Sequence, residues 1–115
     1  GYSTDGKANA TLQSVRSLGR FFGVDALANY SMDAIPVPPP DAPLFALPDK
    51  EQIKAAILHS YDAGVDTALL RGNPGAFEEL RGKYRTRREF HAYTLTNVQP
   101  KNRAALAAMG FKLER

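Results

Sequence analysis

Residues 35–48 read Ile-Pro-Val-Pro-Pro-Pro-Asp-Ala-Pro-Leu-Phe-Ala-Leu-Pro, and this stretch divides the chain in two. It holds six of the eight prolines found among the 115 residues. Proline has no amide donor and crowds the preceding helical turn, so the run cannot lie inside a helix. It predicts a stiff polyproline II strap over residues 36–48 that connects two parts of one domain. The alternative is that the strap is a ligand for an aromatic groove of another protein.

The part before the strap, residues 1–35, predicts a loose tail over residues 1–10 and then a helical arm. Gly23 is expected to end the first helix of the arm, and Asp25 to cap a short second turn. The arm, over residues 11–30, is too small to bury its own apolar residues, so it must pack on the C-terminal part or on a partner. Its apolar stripe at helical spacing is formed by Leu12, Val15, Leu18 and Phe22.

The part after the strap, residues 49–115, predicts strands that alternate with helices in a small body. Asp49 and Gln52 have the spacing of a capping box, and Asn73-Pro74 suits a helix start. The predicted order, with the end of the strap, is a strand at 44–47, a helix from 49 to 64, a strand at 65–70, a helix from 73, a strand at 89–96, a helix at 100–109 and a strand at 111–114. This order predicts an α/β (α+β) fold, a small mixed sheet covered by helices, with ferredoxin-like βαββαβ connectivity as one arrangement.

Charge is divided at the same place, because residues 1–48 carry three cations and four acids while residues 49–115 carry twelve cations and eight acids. The excess of positive charge in residues 49–115 lies in the segment 81–91, which contains five cations and one acid. We call this segment the 81–91 cluster. Such a cluster attracts phosphates, and aromatic neighbours can stack on bases, so it predicts a site for nucleic acid or an acidic protein surface. The alternative is a solvated helix end that favours cations. The five cations are Arg81, Lys83, Arg85, Arg87 and Arg88.

The two histidines lead to a different hypothesis. His59 lies beside an apolar stripe, which predicts a packed or surface histidine. His91 lies in the basic cluster, where an imidazole could act as acid or base while Arg87 or Arg88 stabilises a phosphorane. This constellation would suit a small RNase toxin. The histidines lie far apart without a matched third ligand, so no metal site is predicted.

Composition excludes several classes of protein. Without cysteine there is no disulfide framework, thiolate nucleophile or cysteine metal site. No apolar stretch approaches the roughly 18 residues of a membrane span. The first six residues lack the basic-then-apolar plan of a signal peptide. We therefore expect a soluble protein without a membrane partner, in the cytoplasm or a viral particle rather than secreted.

Residues 65–115 also resemble the C-terminal half of the general N-acetyltransferase fold. The resemblance rests on a strand at 65–70, the loop Arg71-Gly-Asn-Pro-Gly75-Ala76, a helix, a strand at 89–96, Asn102, a further helix and Gly110-Phe111. It implies an acetyltransferase-like order of elements and acetyl-CoA as cofactor. It further implies that Arg71, Gly75 and Ala76 line the pyrophosphate and that Asn102 lies near the pantetheine.

The leading hypothesis from the sequence is a non-catalytic interaction module that uses its 81–91 cluster to bind a polyanion and needs no cofactor. The arm at 11–30 predicts contacts with other protein chains in a larger assembly, such as a ribonucleoprotein or a viral particle, and a homo-oligomer is one form of it. The alternatives are an acetyl-CoA-dependent N-acyltransferase-like domain and a small RNase toxin.

Overall fold

The structure is a computed structural model that describes residues 2–34 and 37–115. The chain forms two compact units, Gly1–Pro38 and Pro39–Arg115. Residues 37–43 form neither helix nor strand, in agreement with the proline run. The predictions for residues 1, 35 and 36 lie outside the described residues.

The N-terminal unit contains helix α1 (Thr4–Phe22), helix α2 (Asp25–Ala28) and a 3₁₀ turn at Met32–Ala34. The predicted loose tail over residues 1–10 is wrong, because the Ser3 hydroxyl accepts a hydrogen bond from the Gly6 amide at 3.0 Å and α1 begins at Thr4. The predicted end at Gly23 is confirmed, since this residue adopts a left-handed φ of 67°. Asp25 is the first residue of α2 rather than its cap.

Gly19 allows α1 and α2 to approach closely. A Cβ atom at Gly19 would lie 2.2 Å from the backbone nitrogen of Ala28, so no larger residue fits without a shift of backbone. The Arg16 Nε donates a hydrogen bond of 2.6 Å to the Tyr30 carbonyl and ties the end of the unit back to α1. Glycine has a low helix propensity, but the close packing of α1 and α2 requires it at position 19.

The C-terminal unit contains three parallel strands in the order β1-β2-β3: β1 (Leu44–Ala46), β2 (Thr94–Thr96) and β3 (Lys112–Leu113). Phe45 lies opposite Leu95, and Leu95 lies opposite Leu113. Parallel strands require crossover connections, which are helical here. The predicted α/β class is confirmed, but the sheet of the described residues is parallel throughout and not mixed.

The helices of this unit are α3 (Gln52–Ser60), α4 (Ala63–Gly72), α5 (Phe77–Gly82) and α6 (Pro100–Ala108), with 3₁₀ turns at Pro74–Ala76 and Phe90–Ala92. Three helices separate β1 from β2, and only α6 separates β2 from β3. Among the described residues the order is therefore neither ferredoxin-like nor acetyltransferase-like.

The core of the C-terminal unit lies between the sheet, α3 and α6. Phe90 stacks on Phe111 with ring centroids 4.5 Å apart and extends the core towards the 3₁₀ turn before β2. Burial of aliphatic and aromatic side chains on this scale supplies the main drive for folding. The buried residues are Leu47, Ala56, Tyr93, Leu95, Leu106 and Phe111.

The predicted strand at 65–70 is wrong, because these residues lie inside α4. The Asp62 carboxylate accepts a hydrogen bond of 2.8 Å from the Gly64 amide and starts the helix. Val65 and Leu69 are one helical turn apart, and both are exposed. A short apolar run fits either a strand or a helix, so the cap in front of it decides between them.

Two other local predictions fail in the same unit. The predicted strand at 89–96 is limited to β2, because residues 90–92 form a 3₁₀ turn. The predicted capping box is absent, because the N-cap of α3 is Glu51 and no side chain caps it. Gln52 is drawn instead into a buried network with the loop after β2.

Candidate functional site

The 81–91 cluster is organised by the carboxylate of Asp66 in α4. The Arg85 guanidinium donates to Oδ1 at 2.6 Å. The hydroxyls of Tyr61 and Tyr84 both donate to Oδ2, at 2.9 and 2.7 Å. One carboxylate thus joins the end of α3, α4 and the segment after α5. We call this group of four side chains the Asp66 hub.

The Asp66 hub shifts the pKa of three of its members. Partial burial acts to raise the pKa of Asp66, but hydrogen bonds from Tyr84, Arg85 and Tyr61 outweigh it, so this pKa lies below the usual range. Burial and the hydrogen bond to Asp66 raise the pKa of Tyr84 to about 12. The hydrogen bond to Asp66 raises the pKa of Arg85. At neutral pH the Asp66 carboxylate is therefore charged and paired with Arg85, and the Tyr84 phenol is protonated, so the hub is a structural contact and not an acid or base.

The other cations of the 81–91 cluster also contact groups of their own unit. Arg81 pairs with Glu78 at 3.5 Å, and Lys83 pairs with Glu79 at 2.8 Å. The Arg87 guanidinium lies 4.0 Å from the ring centroid of Tyr61, a cation–π contact.

These contacts reduce the positive charge that the 81–91 cluster presents to a polyanion. Three of the five cations, Arg81, Lys83 and Arg85, are paired with carboxylates that lie between three and nineteen residues away in the sequence. The remaining cation, Arg88, is half-buried.

The histidines lie in different surroundings. His59, predicted to be a packed or surface histidine, is half-buried. Its ring stacks on Phe45 with centroids 3.9 Å apart and meets the edge of Tyr93 at 5.5 Å. Its Nε2 lies 3.0 Å from the Ala42 carbonyl oxygen, to which a protonated Nε2 donates. His91, the residue assigned to an RNase, is exposed in the 3₁₀ turn before β2.

A second polar network lies at the carboxyl ends of β1 and β2 and is centred on buried Gln52. Its Nε2 donates to the carbonyls of Pro48 and Asn97, at 3.0 and 2.7 Å. Its Oε1 accepts from the Gln99 amide at 2.9 Å and from the Asn102 side chain at 3.0 Å. All four hydrogen-bonding positions of the amide are filled, so Gln52 locks the two loops together.

An open groove of about 380 Å³ adjoins this network at the start of α6. Asn97, Gln99, Arg103 and Glu114 are among its lining residues, and the Arg103 guanidinium donates to the Glu114 carbonyl at 3.4 and 3.5 Å. The carboxyl edge of a parallel sheet is where α/β proteins bind nucleotides, through glycine-rich loops. The loops after β1 and β2, residues 47–51 and 97–99, contain no glycine.

The residues taken from the acetyltransferase resemblance do not form the implied site. Arg71 lies in the last turn of α4, so the loop with Gly75 and Ala76 follows a helix and not a strand. Asn102 uses its side chain to bind Gln52, within the network described above.

Sequence reasoning missed the two residues that organise these contacts, Asp66 and Gln52. Asp66 falls within the strand predicted at 65–70, and the signal that could have placed it in a helix is the Asp62-Ala63-Gly64 start. Gln52 carries no local signal of burial, because its partners lie forty-five or more residues later, apart from the Pro48 carbonyl.

Two further properties concern the described residues, 2–34 and 37–115. No helix there has the length and apolar character needed to cross a bilayer. No three His, Asp or Glu side chains in this part of the chain gather into a group that could hold a metal ion.

Comparison with known proteins places the chain in a family. A family model described as a domain of unknown function (DUF3410) matches residues 40–110, so the chain belongs to this family.

Curated relatives carry a more specific name, erythronate-4-phosphate dehydrogenase. The protein of Bacteroides thetaiotaomicron is 40% identical over 99 residues, which are 86% of this chain and 26% of the relative. The protein of Bacteroides fragilis is 42% identical over 95 residues, 83% of this chain and 25% of the relative. The protein of Porphyromonas gingivalis is 32% identical over 114 residues, 96% of this chain and 30% of the relative. The chain spans between a quarter and a third of the length of these relatives.

These findings correct four predictions made from the sequence. The relatives are dehydrogenases, so the resemblance to N-acetyltransferases is wrong. The polyanion-binding module and its two alternatives, an acyltransferase and an RNase toxin, are wrong for the same reason. Nucleic-acid binding has no support from the relatives. The prediction of no cofactor, or of acetyl-CoA, is wrong for this group of proteins, because a dehydrogenase transfers hydride to a redox cofactor.

Proposed function

We propose that this chain is one region of an erythronate-4-phosphate dehydrogenase. The observation that carries the proposal is the 40% identity to the Bacteroides thetaiotaomicron enzyme over 86% of the chain. The relatives from Bacteroides fragilis and Porphyromonas gingivalis bear the same name and match a similar share of the chain.

In this proposal the residues 39–115 form a supporting unit, and the hydride-transfer chemistry belongs to the remainder of the enzyme. Two features support it. The loops that follow β1 and β2 lack the glycines that let a backbone approach a dinucleotide pyrophosphate. The Asp66 carboxylate accepts internal hydrogen bonds from the other three side chains of the Asp66 hub, and its lowered pKa means that it is not a base that titrates near neutral pH.

The proposed substrate is a small phosphorylated hydroxy acid, and the proposed cofactor is a nicotinamide dinucleotide bound outside this chain. Charged phosphate esters do not cross membranes unaided, so the proposed location is the cytoplasm.

The test is an assay of the complete gene product and of the 115-residue chain, each purified separately. The complete product is expected to reduce nicotinamide dinucleotide when erythronate 4-phosphate is supplied. The 115-residue chain is expected to show neither turnover nor heat of dinucleotide binding by calorimetry. A complete product without this activity contradicts the proposed enzyme, and dinucleotide binding by the short chain contradicts the supporting role.

A further inference from the structure

The end of α1 presents an apolar edge to solvent. Leu18 is 54% exposed, Phe21 81% and Phe22 69%. Val24 and Leu27, which follow α1, are 42% and 41% exposed. We call these five residues the apolar edge. The rings of Phe21 and Phe22 meet edge to face with centroids 4.9 Å apart, so they form one continuous surface.

The apolar edge differs from the rest of the helix surface. Leu12 is buried, and Gly19 faces α2 at close range. Apart from Ala10, the exposed side chains elsewhere on α1 are polar, for example Gln13 and Arg20. Single exposed apolar residues are ordinary, but a contiguous patch with two aromatic rings is typical of a surface that another protein segment covers.

The comparisons indicate which segment covers it. The family model begins at residue 40, next to the boundary between the two units at residues 38 and 39. The dehydrogenase relatives extend the match across the arm, to 96% of this chain in Porphyromonas gingivalis. The arm is thus shared with the dehydrogenases but lies outside the family domain. About 70% of that relative lies outside the match, which leaves ample polypeptide to cover the edge.

We propose that the apolar edge docks onto an apolar surface of the part of the same polypeptide that lies outside this chain. The arm is then an element of the neighbouring region's fold, joined to the unit at 39–115 by the proline run. This inference rests on the proposed function, because it needs the longer polypeptide. The partner surface is aliphatic or aromatic, since the five residues of the edge carry no charge and offer no side-chain hydrogen bond.

Hydroxyl-radical footprinting of the complete gene product tests the proposal without a substitution. Modification of Phe21 and Phe22 is compared between the native and the urea-unfolded protein. If the edge is docked, the two rings should be modified at least about five-fold less in the native protein than in the unfolded protein, as expected for core positions of an interface. Rings as exposed as in this structure would react to nearly the same extent in both states, and that result would overturn the proposal.

Three further outcomes bear on the proposal. Protection that disappears on dilution, together with a fall in molecular mass, would show a second copy on the edge and overturn the proposal. A complete gene product of only these 115 residues would also overturn it. Protection in a complete product that lacks activity on erythronate 4-phosphate would support docking while the proposed function fails.

A matched pair of variants gives an independent measurement in the complete gene product. Phe21→Ser combined with Phe22→Ser is expected to lower Tm by about 5 °C, because the covered surface loses its two largest side chains. Gln13→Ser, on the polar surface of the same helix, is expected to change Tm by less than about 1 °C. Equal shifts in the two variants would count against docking.

Discussion

Asp66 connects the segment after α5 to α4. Its carboxylate accepts hydrogen bonds from Tyr61, Tyr84 and Arg85, which come from two other segments of the chain. Hydrogen bonds to a charged group are stronger than those between neutral groups, although partial exposure of this pair reduces their effect.

Replacing Asp66 by asparagine should therefore destabilise the chain. Asp66→Asn removes the ion pair with Arg85 and weakens the acceptor for both phenols, and we expect a loss of about 1 to 2 kcal/mol in the free energy of unfolding. Urea denaturation measures it. The control is Asp41→Asn, an exposed aspartate in the proline run, which should be nearly neutral. Equal effects at the two positions would show that Asp66 has no special role.

Tyr84 should make stability sensitive to alkaline pH. Its pKa is raised from 10.0 to about 12 in the folded chain, so its contribution is complete below pH 10 and is lost as pH rises towards 12. Tyr84→Phe is expected to cost about 1 kcal/mol at neutral pH. The difference in unfolding free energy between the wild type and Tyr84→Phe should shrink across this pH window. A difference independent of pH would mean that the hydroxyl does not donate to Asp66.

At the scale of elements, two helix positions depend on close packing rather than on helix propensity. Gly19 lies where α2 approaches α1, and Gln52 lies where the loop after β1 meets the loop after β2. Propensity alone would favour alanine at both positions.

Gly19→Ala is expected to destabilise the N-terminal unit despite its better helix propensity. The new methyl group would lie 2.2 Å from the Ala28 nitrogen, and separating the backbones should cost about 2 to 3 kcal/mol. Faster hydrogen exchange of the α2 amides in Gly19→Ala than in the wild type would measure this loss of stability. Gly82→Ala is the control, because nothing lies within 4 Å of the added atom. Unchanged exchange in α2 for Gly19→Ala would contradict the close approach.

Gln52→Ala should destabilise the C-terminal unit by about 2 to 3 kcal/mol, because it leaves buried donors and acceptors of two loops without partners. Thermal unfolding followed by circular dichroism measures the change. Exposed Gln13→Ala serves as the control and should change stability little. Comparable shifts for the two glutamines would argue against the network.

At the scale of the whole molecule, the two units differ in how they are stabilised. The main buried cluster, with Leu95 and Leu106 fully buried, belongs to residues 39–115. The unit at 1–38 buries few apolar side chains, such as Leu12 and Ala8, and leaves its apolar edge exposed. Regions that bury more apolar surface unfold less readily, so we expect the two units to unfold in separate steps.

Hydrogen exchange of the 115-residue chain should separate the units. The amides of β2 are expected to exchange slowest, because this strand is paired on both sides and contains fully buried Leu95. Amides of α1 should exchange faster, although the helix is the longest among the described residues. Exchange in α1 that is as slow as in β2 would show a single cooperative unit instead.

The amino-acid sequence by itself determined the short strand β1 and the segment from α6 to β3. Prolines and glycines mark these positions, and their effects on the backbone are local. Tertiary structure decided that Gln52 leaves its expected cap and that Arg85 is paired with Asp66. The reason is distance along the chain, because the partners of Gln52 and Arg85, apart from the Pro48 carbonyl, lie from nineteen to fifty residues away and only folding brings them together.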